Sequence, residues 1–169
     1  NLRNTFTYKN LSLSFLFDIR QGGKIWCGTV ARLNQIGRTA ITADREGTIV
    51  VPGVTESGAK NTVGMSKMDY YRYVIGDTGP GENAIYDGSW VRLRDVSLSY
   101  TYKVKNAAAK KFVKDVVLTA SGKNLWLSTD YPGIDPETSL TGASSNLTGF
   151  DYFNSPGAKS YILSVKVDF

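Results

Sequence analysis

Apolar and polar side chains alternate along separate stretches of this chain, most plainly at its end. From Ser160 to Phe169, Tyr161, Leu163, Val165, Val167 and Phe169 take every second position, with Ser160, Ser164, Lys166 and Asp168 between them; only Ile162 departs from the rule. A period of two places these sets on opposite faces of a β-strand. Leu11 to Arg20 alternates as cleanly, with Leu11, Leu13, Phe15, Phe17 and Ile19 set against Ser12, Ser14, Asp18 and Arg20. A strand from Leu2 to Tyr8 precedes it across Lys9-Asn10, a tight turn. A third strand begins near Gly88-Ser89 and extends through Tyr102. Its even positions read Trp90, Arg92, Arg94, Val96, Leu98, Tyr100, Tyr102, polar and then apolar. That change suits a strand taller than the hydrocarbon layer, with its upper half in water and its lower half in lipid. The fourth, about Phe112 to Trp126, carries Val116, Leu118 and Ala120 on one face and Thr119, Ser121 and Lys123 on the other.

These patterns predict an all-β, antiparallel fold of five strands. The connections alternate strictly between short (Lys9-Asn10 and 103–111, where Ala107 to Ala109 adds a helical turn) and long (21–86 and 127–158). Outer-membrane barrels have short periplasmic turns and long extracellular loops. Alternation alone does not separate a lipid-facing strand from one packed on a soluble core. A soluble β-sandwich presenting tryptophan and tyrosine loops to glycan is therefore the alternative. No apolar run approaches the roughly 18–20 residues of a membrane-spanning helix, so insertion is expected through strands. Five strands cannot close a barrel, which needs an even number of at least about eight. The chain opens on Asn1-Leu2-Arg3 without an initiator methionine and is expected to be a piece of something longer.

Composition narrows the chemistry. The 169 residues include no histidine, so neither a Ser-His-Asp triad nor a histidine metal site can be built from this chain. Cys27 is the lone cysteine and reads as an incidental small side chain. The net charge is +5, yet the 20 Lys/Arg and 15 Asp/Glu are interspersed. The dense cluster Lys103 to Lys114 flanks an alanine run, as a solvated turn does, and no nucleic-acid partner is expected. Asp130, Asp135, Glu137 and Asp151 lack the alternating spacing of a calcium loop and read as turn acids. Catalytic residues, metal ligands and cofactors are not expected. The possible ligand contacts in the second long loop are Trp126, Tyr131, Asp135 and Tyr152. The sequon-like Asn146-Leu147-Thr148 carries no consequence.

The segments TYKNLSLSFLFDIRQGG (7–23), SWVRLRDVSLSYT (89–101), GKNLWLSTDYPGIDPE (122–137) and GFDYFNSPGAKSY (149–161) together resemble the end of a SusC/RagA-like TonB-dependent receptor, a nutrient importer of the Bacteroidetes outer membrane. The resemblance covers most of the chain, residues 24 to 86 excepted, and the block from Gly122 to Glu137 is its most specific part. It implies that residues 1–169 are the C-terminal portion of a barrel of about 22 strands, whose plug domain lies outside this chain. The implied function is energy-coupled uptake of oligosaccharides or peptides across the outer membrane. Leu11, Leu13, Phe15, Phe17, Val96, Leu98, Tyr100, Val116, Leu118, Leu163, Val165 and Val167 are then expected to face lipid. Tyr161, Leu163, Val165, Val167 and Phe169 are expected to form the C-terminal assembly signal. The implied partners are outer-membrane lipid, the remainder of the barrel and its plug, a SusD-like surface lipoprotein, TonB through absent N-terminal parts, and the barrel assembly machinery.

Overall fold

The computed structural model describes residues 1–106, 111–141 and 148–169. The chain divides into two units, Asn1–Gln21 with Ser89–Asp130 and Gly157–Phe169, and Gly22–Gly88 with Tyr131–Pro156. No helix is long and apolar enough to cross a membrane.

The first unit is a five-stranded sheet built from β1 (Leu2–Tyr8), β2 (Leu11–Arg20), β7 (Trp90–Lys103), β8 (Asp115–Thr129) and β10 (Ser160–Asp168). They lie in that order, each antiparallel to the next, with β1 and β10 at the edges. Lys9 adopts the left-handed conformation (φ 53°) that a two-residue hairpin turn demands. β7 and β8, at 14 and 15 residues, exceed the roughly 9–11 that a tilted strand needs to cross a bilayer.

One strand's bounds change here, and the third strand carries a bulge that alternation does not show. The fourth strand runs Asp115–Thr129, not Phe112 to Trp126, so Trp126 lies within the ladder. A β-bulge lies at the polar-to-apolar switch along β7. Leu16 and Phe17 pair with Asp95 and Leu93, which leaves Arg94 as an extra residue. In β8 the step from Lys123 to Trp126 opposes only Asp95 to Leu93, and Asn124 takes φ 53° to absorb the surplus. The extra residue shifts the parity of β7 by one, so Val91 and Leu93 share a face with Val96, Leu98 and Tyr100, while in β8 the partners Gly122 and Trp126 stay an even four residues apart. The apolar face continues through the point where strict alternation had ended it.

The second unit corrects the reading of 21–86 and 127–158 as loops without structure. Lys24–Cys27 (β3) pairs antiparallel with Ile85–Asp87 (β6) and parallel with Phe150–Asp151 (β9). Thr48–Val50 (β4) and Gly64–Ser66 (β5) form a ribbon. The helix Gly28–Gln35 (α1) follows β3 directly, and a helical stretch, Lys67–Asp69 continuing as a π-turn through Val74, follows β5. Ser66 caps that stretch, accepting from the Asp69 amide at 3.0 Å and donating to its carboxylate at 2.7 Å. Ile25, Cys27 and Tyr131 form the small core, with Val30 and Tyr86 packed against it. Such short elements have too few residues for periodicity to show. The helical turn expected at Ala107 to Ala109 and the start of the sequon at Asn146 lie outside the described residues.

Candidate functional site

Antiparallel pairing puts partner residues on one face, and the register assembles whole rows across the sheet. Tyr8, Leu11, Tyr100, Leu118 and Val165 form one row; Phe6, Leu13, Leu98, Ala120 and Leu163 form the next. Phe15, Val96, Gly122 and Tyr161 form a third, and Tyr102, Val116 and Val167 a fourth. Phe17 pairs with Leu93 beyond the bulge. Every residue assigned from sequence to lipid thus falls on one face, and so do Tyr161, Leu163, Val165 and Val167 of the terminal strand. Phe169 follows the end of β10 and is exposed; its carbonyl accepts from Lys114 Nζ at 2.8 Å. The apolar face is open: Leu163 is 87% exposed, Val165 67% and Leu118 48%.

The opposite face is polar and internally bonded. Ser14 meets Ser97 at 3.0 Å and Ser99 meets Thr119 at 2.9 Å, hydroxyl to hydroxyl across strands. At the bulges, Arg94 Nη2 donates to Asp18 Oδ2 at 2.8 Å and Nη1 to Asn124 Oδ1 at 3.3 Å, while Asn124 Nδ2 donates to the Ala158 carbonyl at 3.1 Å. The Arg92 and Arg94 guanidinium groups lie 5.7 and 5.6 Å from the Trp90 ring, within cation–π range. A cavity of about 370 Å³ opens on this face beside Arg3, Ser14, Arg94, Asp95, Lys123 and Asn124. Of these, Arg94 and Asn124 are placed by the bulges, which strict alternation does not reveal.

The residues expected to touch ligand separate. Trp126 pairs with Leu93 in the sheet ladder and is 48% exposed. Tyr152, 37% exposed, stacks on Trp26 at 6.3 Å and 9°. Gly28 lies against that pair: a Cβ there would come within 2.5 Å of both rings, so only glycine allows the approach. Tyr131 and Asp135 are buried, 5% and 4% exposed, and bonded inward, which withdraws them from ligand. Asp135 Oδ1 accepts from the Glu137 amide at 3.0 Å.

Tyr131 instead joins a buried cluster around Asp151. One Asp151 oxygen accepts from Tyr131 OH at 2.7 Å and Cys27 Sγ at 3.4 Å; the other accepts from Thr29 Oγ1 at 3.1 Å. Thr29 Oγ1 in turn accepts from the Phe153 amide at 2.6 Å. Burial pushes the Cys27 thiol and the Tyr131 phenol above their ordinary values. A protonated, fully buried thiol is inert, so Cys27 packs rather than reacts. Asp151, read from sequence as a turn acid, is the hub tying the two long connections together. Among the described residues no group of acids and cysteine is arranged to hold a metal.

No protein-family model matches the chain. It is 29% identical over 170 residues to TonB-dependent receptor P3 of Formosa agariphila and 28% identical over 169 residues to TonB-dependent receptor P26 of the same organism. Both matches cover 98% of this chain and 16% of the relative, so the chain spans about a sixth of the length of these receptors. Its fold matches the RagAB peptide importer in the open-open state with a TM-score of 0.64 at 17% identity, covering 96% of this chain and 16% of that one. A second structure, of the RagAB peptide transporter, matches with a TM-score of 0.57 at 19% identity and the same coverage. These likenesses support a SusC/RagA-like TonB-dependent receptor fragment with a partial antiparallel barrel.

Proposed function

We propose that the chain is the C-terminal part of the barrel wall of an outer-membrane, TonB-dependent importer of oligosaccharides or peptides. One observation carries the reading: five neighbouring strands share an open apolar face, backed by a face of bonded hydroxyls, carboxylates and guanidinium groups. Lipid satisfies the first face and a water-filled or plugged lumen the second. The unpaired edges of β1 and β10 join the remainder of the barrel, because an open sheet edge does not persist in hydrocarbon. The unit formed by 22–88 and 131–156 stands at the cell surface beside a SusD-like lipoprotein. TonB acts through parts outside this chain. The strand ending at Phe169 serves as the assembly signal, offering its free edge to the barrel assembly machinery. Uptake of labelled peptides and oligosaccharides by cells with and without the intact receptor tests this, with the proton gradient intact or dissipated. Uptake should require both receptor and gradient. Receptor-dependent uptake that survives dissipation would remove the energy-coupled reading.

A further inference from the structure

Within the surface unit, a cavity of about 330 Å³ is lined by Arg32, Gln35, Arg45, Met68, Tyr71 and Arg72, among others. Its three arginines come from three separate segments: α1, the chain after the short helical turn Ala40–Thr42, and the π-turn. Two are oriented by the fold. Arg45 donates through Nε to the Thr42 carbonyl at 3.0 Å and through Nη2 to the Gly37 carbonyl. Arg32 Nη1 donates to Gln35 Oε1 and lies 3.6 Å from Asp77 Oδ2. Arg72 stands over the Tyr73 ring, 5.8 Å from its centroid.

The charges do not balance. Among the described residues, Asp77 is the carboxylate paired with Arg32, and neither Arg45 nor Arg72 is paired with one. Asp44, next to Arg45 in sequence, is engaged by Lys67, whose ammonium holds that carboxyl below its usual range. Arg45 and Arg72, both solvent-exposed, thus line one small concavity with no ion-pair partner among the described residues. An anion in that concavity can pair with both, and a planar guanidinium fork suits an oxyanion better than a spherical ion. The rim carries exposed Ile36 and Met68, apolar surface for an organic body. The volume sits at the low end of the roughly 300–1,000 Å³ typical of ligand pockets, enough for one residue-sized group and not for a long chain.

We propose that the Arg32–Arg45–Arg72 pocket is an oxyanion-binding site that takes a carboxylate or sulfate group carried by an organic molecule. That this molecule is a solute awaiting import rests on the function proposed above; oxyanion binding itself does not.

The test uses the intact detergent-solubilised receptor, titrated calorimetrically with sodium sulfate and sodium acetate at constant ionic strength held with chloride. Arg72→Gln removes a side chain that makes no bond to the loop backbone, and Arg38→Gln, outside the pocket, controls for net charge. The expected result is sulfate or acetate binding that weakens about tenfold in Arg72→Gln, a change of ~1.4 kcal/mol, and stays unchanged in Arg38→Gln. Crystals soaked in selenate should show an anomalous peak between the three guanidinium groups. Equal binding in both variants, or selenate absent from the pocket, would overturn the proposal. Uptake of an acidic solute against its neutral counterpart then separates the sources. Weakened uptake of the acidic solute alone in Arg72→Gln assigns the anion to cargo, and unchanged uptake with weakened binding would overturn the organic carrier and leave a free-anion site.

Discussion

Arg94 donates to Asp18 at 2.8 Å at the point where β7 carries its extra residue, so the bulge and the ion pair are one feature. The bulge turns Arg94 toward the polar face, and Asp18 holds it there. Both side chains are about a quarter exposed, which places the pair between a surface bridge and a buried one. Solvent screening limits its net worth, and a double-mutant cycle of Asp18→Asn and Arg94→Gln should give a coupling of about 0.5–1 kcal/mol. Denaturant unfolding of the intact receptor in lipid vesicles measures it. Additive single variants would mean that backbone geometry alone sets the bulge.

The two faces of β2 should respond oppositely to a charge. Phe15 lies on the apolar face, its ring 6.0 Å from Phe6 and 5.8 Å from Phe17, whereas Ser14 bonds Ser97 on the other. If the apolar face meets lipid, Phe15→Arg costs about 2–4 kcal/mol near mid-membrane, while Ser14→Arg costs little more than a lost hydroxyl contact. Outer-membrane levels and unfolding midpoints of both variants measure this. Normal insertion and unchanged stability of Phe15→Arg would count heavily against lipid contact.

How much was legible in the sequence follows from how each part is encoded. Leu11 to Ile19 and Tyr161 to Val167 are long enough for a period of two to fix both strand and face, and both emerge as read. The register rows follow from that same period, because antiparallel partners share a face. Arg94 and Asn124 were not legible as bulge residues, since alternation read along one strand carries no sign of the extra residues that only pairing with the neighbouring strand reveals. Asp151 and Tyr131 were misread for a different reason: loop acids and tyrosines resemble solvent-facing groups until tertiary contacts bury them. The Arg32, Arg45 and Arg72 pocket draws on residues far apart in sequence, which only folding brings to one cavity.

Both long connections are expected on the same side of the membrane, because they belong to one unit and join at β3 and β9. Ser57 and Ser155 are exposed, one in each connection. Single cysteines there should react with an impermeant maleimide on intact cells, and Cys27, fully buried, should supply no background. Labelling at Ser57 but not at Ser155 until the outer membrane is opened would refute the shared side.

The Asp151 cluster should make the unit formed by 22–88 and 131–156 sensitive to alkali. Asp151→Ala leaves the Tyr131 hydroxyl, the Thr29 hydroxyl and the Cys27 thiol without their shared acceptor, and each stranded buried group costs about 1–3 kcal/mol. Wild-type protein should reach a related state through pH. Burial holds the Cys27 thiol and the Tyr131 phenol above their ordinary values, so the unfolded chain loses those protons first. Their contribution is therefore complete below the ordinary thiol value of 9.0 and is lost as pH rises toward the raised folded-state values. Quenched-flow alkylation of Cys27, corrected for the thiolate fraction of a free thiol, reports the opening. Protection should hold at neutral pH and fall in alkali, and Asp151→Ala should show weak protection already at neutral pH. Protection that strengthens with pH would reverse the sign and remove Asp151 as the hub.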